Sequence, residues 1–171
     1  MNSESSTTEA EHTHAAKSRL YPAFLILEGK LCAVVGGGRI ATRKVHSLLA
    51  AGARVVVISP ALHIDLQTLL VKGLIEHIPH NYAAEHLTGA SLVFAATNNP
   101  EVNRQVAHDA HNLRLLVNVA DDPDGSDFHV PATISHQDLT LAIATGGGSP
   151  AFARYVRELV EQALGDLGRE D

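Results

Sequence analysis

Leu31-Cys32-Ala33-Val34-Val35-Gly36-Gly37-Gly38-Arg39-Ile40-Ala41 is the stretch on which the fold turns. Its first half is a short, unbroken apolar run, the pattern of a strand covered on both faces. Its second half fits G-x-G-x-x-A at the mouth of a helix. Ile40, Ala41, Val45, Leu48 and Leu49 recur at helical spacing, and Gly52 closes that helix. In this setting Gly36 permits a tight turn and Gly38 lets the backbone approach a pyrophosphate. Ala41 allows close helix–sheet packing, while Gly37 completes the turn. The free N–H groups of the helix start favour an anion. A plain strand-to-helix turn is the competing reading. The complete strand–helix–strand context favours a nicotinamide dinucleotide site.

Outward from this stretch, the same grammar repeats. Arg54 to Ser59 reads as a second strand stopped by Pro60, followed by a helix carrying Leu62, Leu66, Leu69 and Leu70 and closed by Gly73. Leu74 to Ile78 is a third strand and Ser91 to Ala96 a fourth. Thr97-Asn98-Asn99-Pro100 then opens a helix with Val102, Val106 and Ala110, and Leu115 to Val119 is a fifth strand. Alternation at this spacing implies right-handed crossovers and an α/β fold, a Rossmann-like parallel sheet. The spacing does not fix the order of the strands, which is expected to be 3-2-1-4-5. After Asp121 the pattern changes. Phe128 to Ile134 and Leu139 to Ala144 read as two strands, Thr145-Gly146-Gly147-Gly148-Ser149-Pro150 as a second glycine loop, and Phe152 to Leu164 as a closing helix. Two strands and a helix bury little alone, so this small α+β segment is expected to pair with a second copy as a homodimer. The expected organisation is a disordered tail over 1–18, a dinucleotide-binding domain over 19–127 and a dimerisation segment over 128–171.

Bulk composition narrows the function classes. The 171 residues are 45% hydrophobic but only 4% aromatic, without Trp, which suits an aliphatic core and not a base-stacking platform. A net charge of −6 opposes nonspecific binding to nucleic acid. Yet no acidic residue lies between Glu28 and Asp65, where Lys30, Arg39, Arg43, Lys44 and Arg54 fall, nor between Leu139 and Arg157, where Arg154 falls. Such regions suit an anionic small molecule and equally suit solvated helix faces. The single cysteine, Cys32, sits in an apolar run, as in a reducing compartment. No apolar run nears the roughly 20 residues of a membrane span. No secretory signal pattern is visible, so cytoplasm is expected.

Ligands of an open α/β sheet sit beyond the carboxyl ends of its strands, at the point where strand order reverses. That would gather the glycine turn, Ser59-Pro60-Ala61, Thr97-Asn98 and Asn118 to Asp121 about one crevice. Ser59 stands where an acid ordinarily holds the adenosine ribose, while Arg39 and Arg54 suit a 2′-phosphate, so NAD and NADP both remain open. Asp121, the first ionisable group after the fifth strand, suits a general base and equally suits a loop-capping aspartate. His108 and His111 are one helical turn apart, but without a matching Cys, Asp or Glu no metal site is assigned.

The runs Tyr21-Pro-Ala-Phe-Leu25, Val34-Val-Gly-Gly-Gly38, Arg43-Lys44, Ala95-Ala-Thr97, Asn118-Val-Ala-Asp-Asp-Pro123, Asp127-Phe128, Pro131-Ala132 and Thr145-Gly-Gly-Gly-Ser-Pro150 together resemble the precorrin-2 dehydrogenase family, which includes the dehydrogenase and ferrochelatase part of siroheme synthase. The resemblance runs from about Tyr21 to Leu164. It implies NAD-dependent oxidation of precorrin-2 to sirohydrochlorin. In some members Fe(II) insertion follows. It places the catalytic aspartate on Asp121 and cofactor contacts on Arg39, Ile40, Pro60, Ala61 and the Thr97-Asn98 turn. Thr145 stands where some relatives carry a modified serine, and the segment from Phe128 onward would form a swapped dimer. For a substrate with eight carboxylates, Arg43, Lys44 and Arg154 are candidate basic contacts. Asn118, Thr145 and Gly146 are further substrate candidates. Asn98-Asn99 departs from a pair often acidic in relatives. A non-catalytic regulatory dinucleotide module is the rival, but it needs neither Asp121 nor the second glycine loop.

Overall fold

The computed structural model describes residues 20–145 and 149–167. The tail expected over 1–18 lies outside the described residues. Two compact units divide the chain, one of them Phe24–Pro131.

Phe24–Pro131 is built on five strands, β1 (Leu31–Val35), β2 (Arg54–Ile58), β3 (Glu76–Ile78), β4 (Leu92–Ala95) and β5 (Leu116–Val119), all parallel in the order β3-β2-β1-β4-β5. The order and direction are those expected. Helices α1 (Arg39–Ala50), α2 (Ile64–Val71) and α3 (Pro100–Asn112) form the crossovers. Successive strand residues point to opposite faces. Cys32 and Val34 pack with Ala41, Val45, Leu48 and Leu66 on the face covered by α1 and α2. Ala33 and Val35 pack with Val106, Ala110 and Val117 on the face covered by α3. Burial on both faces is why these strands read as continuous apolar runs rather than alternating ones. It also pushes the Cys32 thiol up to about 11, leaving it an inert hydrophobe.

The registers bring the strand ends level. Val35 pairs with Ile58 on one side and with Ala95 on the other. The ladder then continues one residue further, with Gly36 N–H donating to Ile58 O and Ala96 N–H to Val35 O. The turns after β1, β2 and β4 therefore begin side by side, where strand order reverses.

The outer edge of β5 is occupied by the chain that follows it. Val117 N–H donates to Asp127 Oδ2 at 2.9 Å and Val117 O accepts from Asp127 N–H at 2.9 Å. Val119 N–H donates to Ser126 Oγ at 2.8 Å. Phe128 then sets its ring edge-on to Phe94, with centroids 5.5 Å apart, and its carbonyl accepts from Asn118 Nδ2 at 2.9 Å. Phe128–Pro131 is thus part of this unit and not a strand of the next one. The expected start of the sixth strand moves accordingly, because Pro131 has no N–H for a ladder and Phe128 is held by the core of the sheet.

The second unit contains the antiparallel hairpin β6 (Ala132–His136) and β7 (Leu139–Ile143), turned at Gln137-Asp138, and α4 (Pro150–Leu167). Among the described residues its buried apolar side chains are Ile134 and Ala153, whereas Phe152, Tyr155 and Leu159 lie on α4 at 58, 57 and 48% exposure. The helix starts two residues earlier than expected, since Pro150 suits its first turn. No helix among the described residues is long and apolar enough to cross a membrane.

Candidate functional site

A crevice of about 870 Å³ opens at the carboxyl ends of β1, β2 and β4. Gly36, Gly37, Gly38, Arg39 and Ile40 line it from the first turn, Ser59, Pro60 and Ala61 from the second, and Thr97 and Asn98 from the fourth strand. Every residue expected to contact the cofactor therefore meets at one place.

The glycine turn has a distinct reason at each position. Gly36 has φ +120°, and a Cβ there would drive into the backbone carbonyl of Ala96, 2.7 Å from its carbon and 3.0 Å from Thr97 N. Gly37 carries no such torsion, but a Cβ would strike Ala61 O and lie 2.7 Å from Ser59 Oγ. A Cβ on Gly38 would meet nothing within 4 Å, so that approach to the backbone is open. Gly38 caps α1 without a side-chain bond, and the first turn of α1 holds no acid. Thr42 N–H is the first to bond back, to Gly38 O at 2.9 Å. The amides before it are left for a ligand. A diphosphate fits this donor set and this open approach.

Around the rest of the crevice the lining carries Arg39 and His63 and no carboxylate. Ser59 is 9% exposed; its hydroxyl donates to Ala61 O at 2.8 Å and so fixes the turn. Arg54 does not reach this end. It begins β2, at the opposite end of the strand, and pairs with Glu76 at 3.0 Å. Tyr82 and Gln105 close the far wall. Both bond to Asp109, Tyr82 through its hydroxyl at 3.0 Å and Gln105 through Nε2 at 2.9 Å. Burial opposes the charge on Asp109, but the bonds from Gln105, Tyr82 and His108 outweigh it and hold the carboxyl below its ordinary range. Burial and the Asp109 contact push the Tyr82 phenol well up.

Asp121 lies beyond β5, outside the crevice lining, with its side chain at the surface. One oxygen, Oδ1, accepts from Asn103 Nδ2 at 2.7 Å. Asn103 also accepts from Thr97 N–H at 3.1 Å. The carboxylate is thus joined through one amide to a residue that lines the crevice. Neither Asn103 nor the Tyr82–Asp109 pair was singled out in the sequence. Asn103 did leave a signal, since Asn103, Val106, Ala107 and Ala110 form one i, i+3, i+4, i+7 stripe, and all four are buried. The Tyr82–Asp109 pair spans 27 positions and left none.

The remaining candidates fall elsewhere. Asn118 is 7% exposed and bonds to Phe128 O, so its amide ties strand to loop instead of facing a substrate. Arg43 is exposed on α1. Lys44 Nζ sits 5.4 Å from the centroid of Phe94, and burial, with Arg43 beside it, lowers its pKa. Thr145 bonds to both backbone groups of Ser149, and Arg154 is exposed on α4, both in the second unit. Gly146 lies outside the described residues. Among the described residues no three His, Cys, Asp or Glu side chains converge as a metal site; His111 instead contacts Asp127 at 3.1 Å.

Comparison with known proteins agrees with this geometry. Residues 23–132 match a family described as putative NAD(P)-binding. A siroheme synthase of Chromobacterium violaceum is 44% identical over 84% of this chain and 31% of its own length. One of Methylobacillus flagellatus is 43% identical over the same shares. The chain thus spans about a third of these curated relatives. The solved structure of SirC, a precorrin-2 dehydrogenase, superposes with a TM-score of 0.75 at 31% identity, covering 84% of this chain and 71% of that one.

Proposed function

The chain belongs to the NAD(P)-binding family that includes the precorrin-2 dehydrogenases, and from that membership we propose that it oxidises precorrin-2 to sirohydrochlorin with NAD as the electron acceptor. The observation that carries the reading is the link from the diphosphate-fitting glycine turn, by way of Thr97 and Asn103, to the carboxylate of Asp121.

NAD, when bound, supplies the two-electron acceptor. Gly36 to Gly38 and the first amides of α1 hold its diphosphate, and Ile40 and Ala61 give apolar walls. Oxidation of the macrocycle removes a hydride, for which NAD would be the acceptor, and one further proton, which Asp121 receives at the oxygen not bonded to Asn103. Arg43, exposed on α1, supplies positive charge for the substrate's carboxylates. The reading includes a cytoplasmic setting, supported by the buried free thiol of Cys32.

Enzymatically made precorrin-2 mixed with NAD and the protein is expected to give NADH and sirohydrochlorin in equal amounts, with NADP run in parallel. NAD binding without any turnover would instead return the protein to the class of non-catalytic dinucleotide modules. Fe(II) insertion is the second activity within this reading, with the same carboxylate taking the pyrrole N–H protons. Its assay adds Fe(II) to sirohydrochlorin and follows the absorbance of siroheme.

The proposal extends to a homodimer. The exposed stripe of Phe152, Tyr155 and Leu159 on α4 supports it, as does the small core of that unit. Sedimentation at micromolar concentration is expected to show twice the 18.2 kDa chain mass; a single species of chain mass refutes it.

A further inference from the structure

Asn103 is 1% exposed, yet it lies on a helix face otherwise made of Val106, Ala107 and Ala110. A buried amide costs stability unless its groups are bonded. Here all of them are. Oδ1 accepts from Thr97 N–H at 3.1 Å and from Thr97 Oγ1 at 2.7 Å, while Nδ2 donates to Thr97 O at 3.2 Å and to Asp121 Oδ1 at 2.7 Å. The orientation of the amide is fixed by chemistry. Thr97 N–H can only donate, so the oxygen must face it, and the NH2 group must then face the two acceptors.

This arrangement does more than fill a core position. The Asp121 side chain is exposed and otherwise free to change rotamer. The short bond from Asn103 holds one carboxylate oxygen and leaves the other to act. Asn103 is itself held by α3, whose first turn is capped by Asn99 Oδ1 accepting from Glu101 N–H at 2.9 Å. Asn99 N–H in turn donates to Thr97 Oγ1 at 3.1 Å. The nucleotide-side turn and the carboxylate therefore share one rigid mount. We propose that Asn103 is a positioning residue for the dehydrogenation: it aims Asp121 and fixes that aim relative to the Thr97 turn. The proposal rests on the dehydrogenase reading, and its test is arranged so that the two can fail separately.

Asn103→Asp keeps an oxygen facing Thr97 N–H but removes the donor to Asp121. Asn103→Leu removes both contacts at similar volume. In Asn103→Asp, kcat with precorrin-2 is expected to fall about tenfold or more, with the dissociation constant for NAD within about twofold of the parent. Placed on top of Asp121→Ala, the same change is expected to cost less than about twofold, because the contact is already gone. Equal losses in both backgrounds, or NAD binding that weakens as much as kcat, would show a purely structural role and overturn the proposal. A second measurement does not depend on turnover. The Asn103 side-chain amide, followed in a 1H–15N NMR correlation spectrum, is expected to shift on Asp121→Ala. No shift overturns the proposal whatever the kinetics. If the amide responds while the parent protein oxidises no precorrin-2, the contact stands and the dehydrogenase reading falls, taking the catalytic purpose with it. Asn103→Leu, if folded, is expected to lose both turnover and NAD affinity, and retention of full kcat in it also overturns the proposal.

Discussion

Gly36→Ala is expected to destabilise the protein by about 3 kcal/mol and to abolish measurable NAD binding. Two costs act at one atom. The residue holds φ +120°, where an L side chain is strained, and the added methyl meets backbone at Ala96 and Thr97. Neither neighbour is the far end of a flexible side chain. Ala96 N–H is tied to Val35 O across the sheet, so relief requires moving the end of β4. Urea unfolding measures the first effect and NAD titration the second. Gly38→Ala is the informative control. Its added Cβ meets nothing within 4 Å, so stability should hold while the methyl obstructs the diphosphate and weakens NAD binding. If Gly38→Ala binds NAD as well as the parent does, the nucleotide does not lie over this turn.

The second large effect concerns Asp121. Asp121→Ala is expected to lower kcat with precorrin-2 by about 100-fold or more, the usual worth of a positioned proton acceptor. The NAD dissociation constant should stay within about twofold, because Asp121 is outside the crevice lining. Stability should fall by about 1 kcal/mol, because the buried Asn103 amide loses one acceptor. A variant that keeps the parental rate would show that the proton leaves by another route.

Much of this was legible because the sheet is built from local signals. β1, β2 and β4 are largely apolar runs closely followed by glycine, proline or asparagine, β5 is apolar but for Asn118, and the helices between them carry an apolar stripe. Their order is not among those local signals; it was expected from the doubly wound fold that the glycine turn suggests. The glycine turn, the Ser59–Ala61 turn and Thr97–Asn98 could be placed together for the same reason, since strand ends define a crevice. Legibility ended where structure depends on distant partners. β3 is only Glu76–Ile78, with too little apolar content to bound it from sequence. The 3-10 turn at Ala84–Leu87 buries one residue, Leu87, and has no periodicity to read. Phe128 looked like the start of a strand, but its fate is decided by Phe94 on β4. Asn118 was expected to contact the substrate and Lys44 to offer it positive charge. Asn118 instead closes a loop, and Lys44 lies over an aromatic ring. Asn103 is the instructive case. Its place on the buried stripe was visible, and a polar residue there signals a bond to be found.

Ser126 and Asp127 give β5 a further consequence. Through Val119, the main-chain groups of its outward side are already spoken for, so that margin of the sheet offers no template to a foreign strand. Polymerisation by strand recruitment is closed off there. Contact between copies along that side must be made by side chains, which restricts it to surfaces of matching shape.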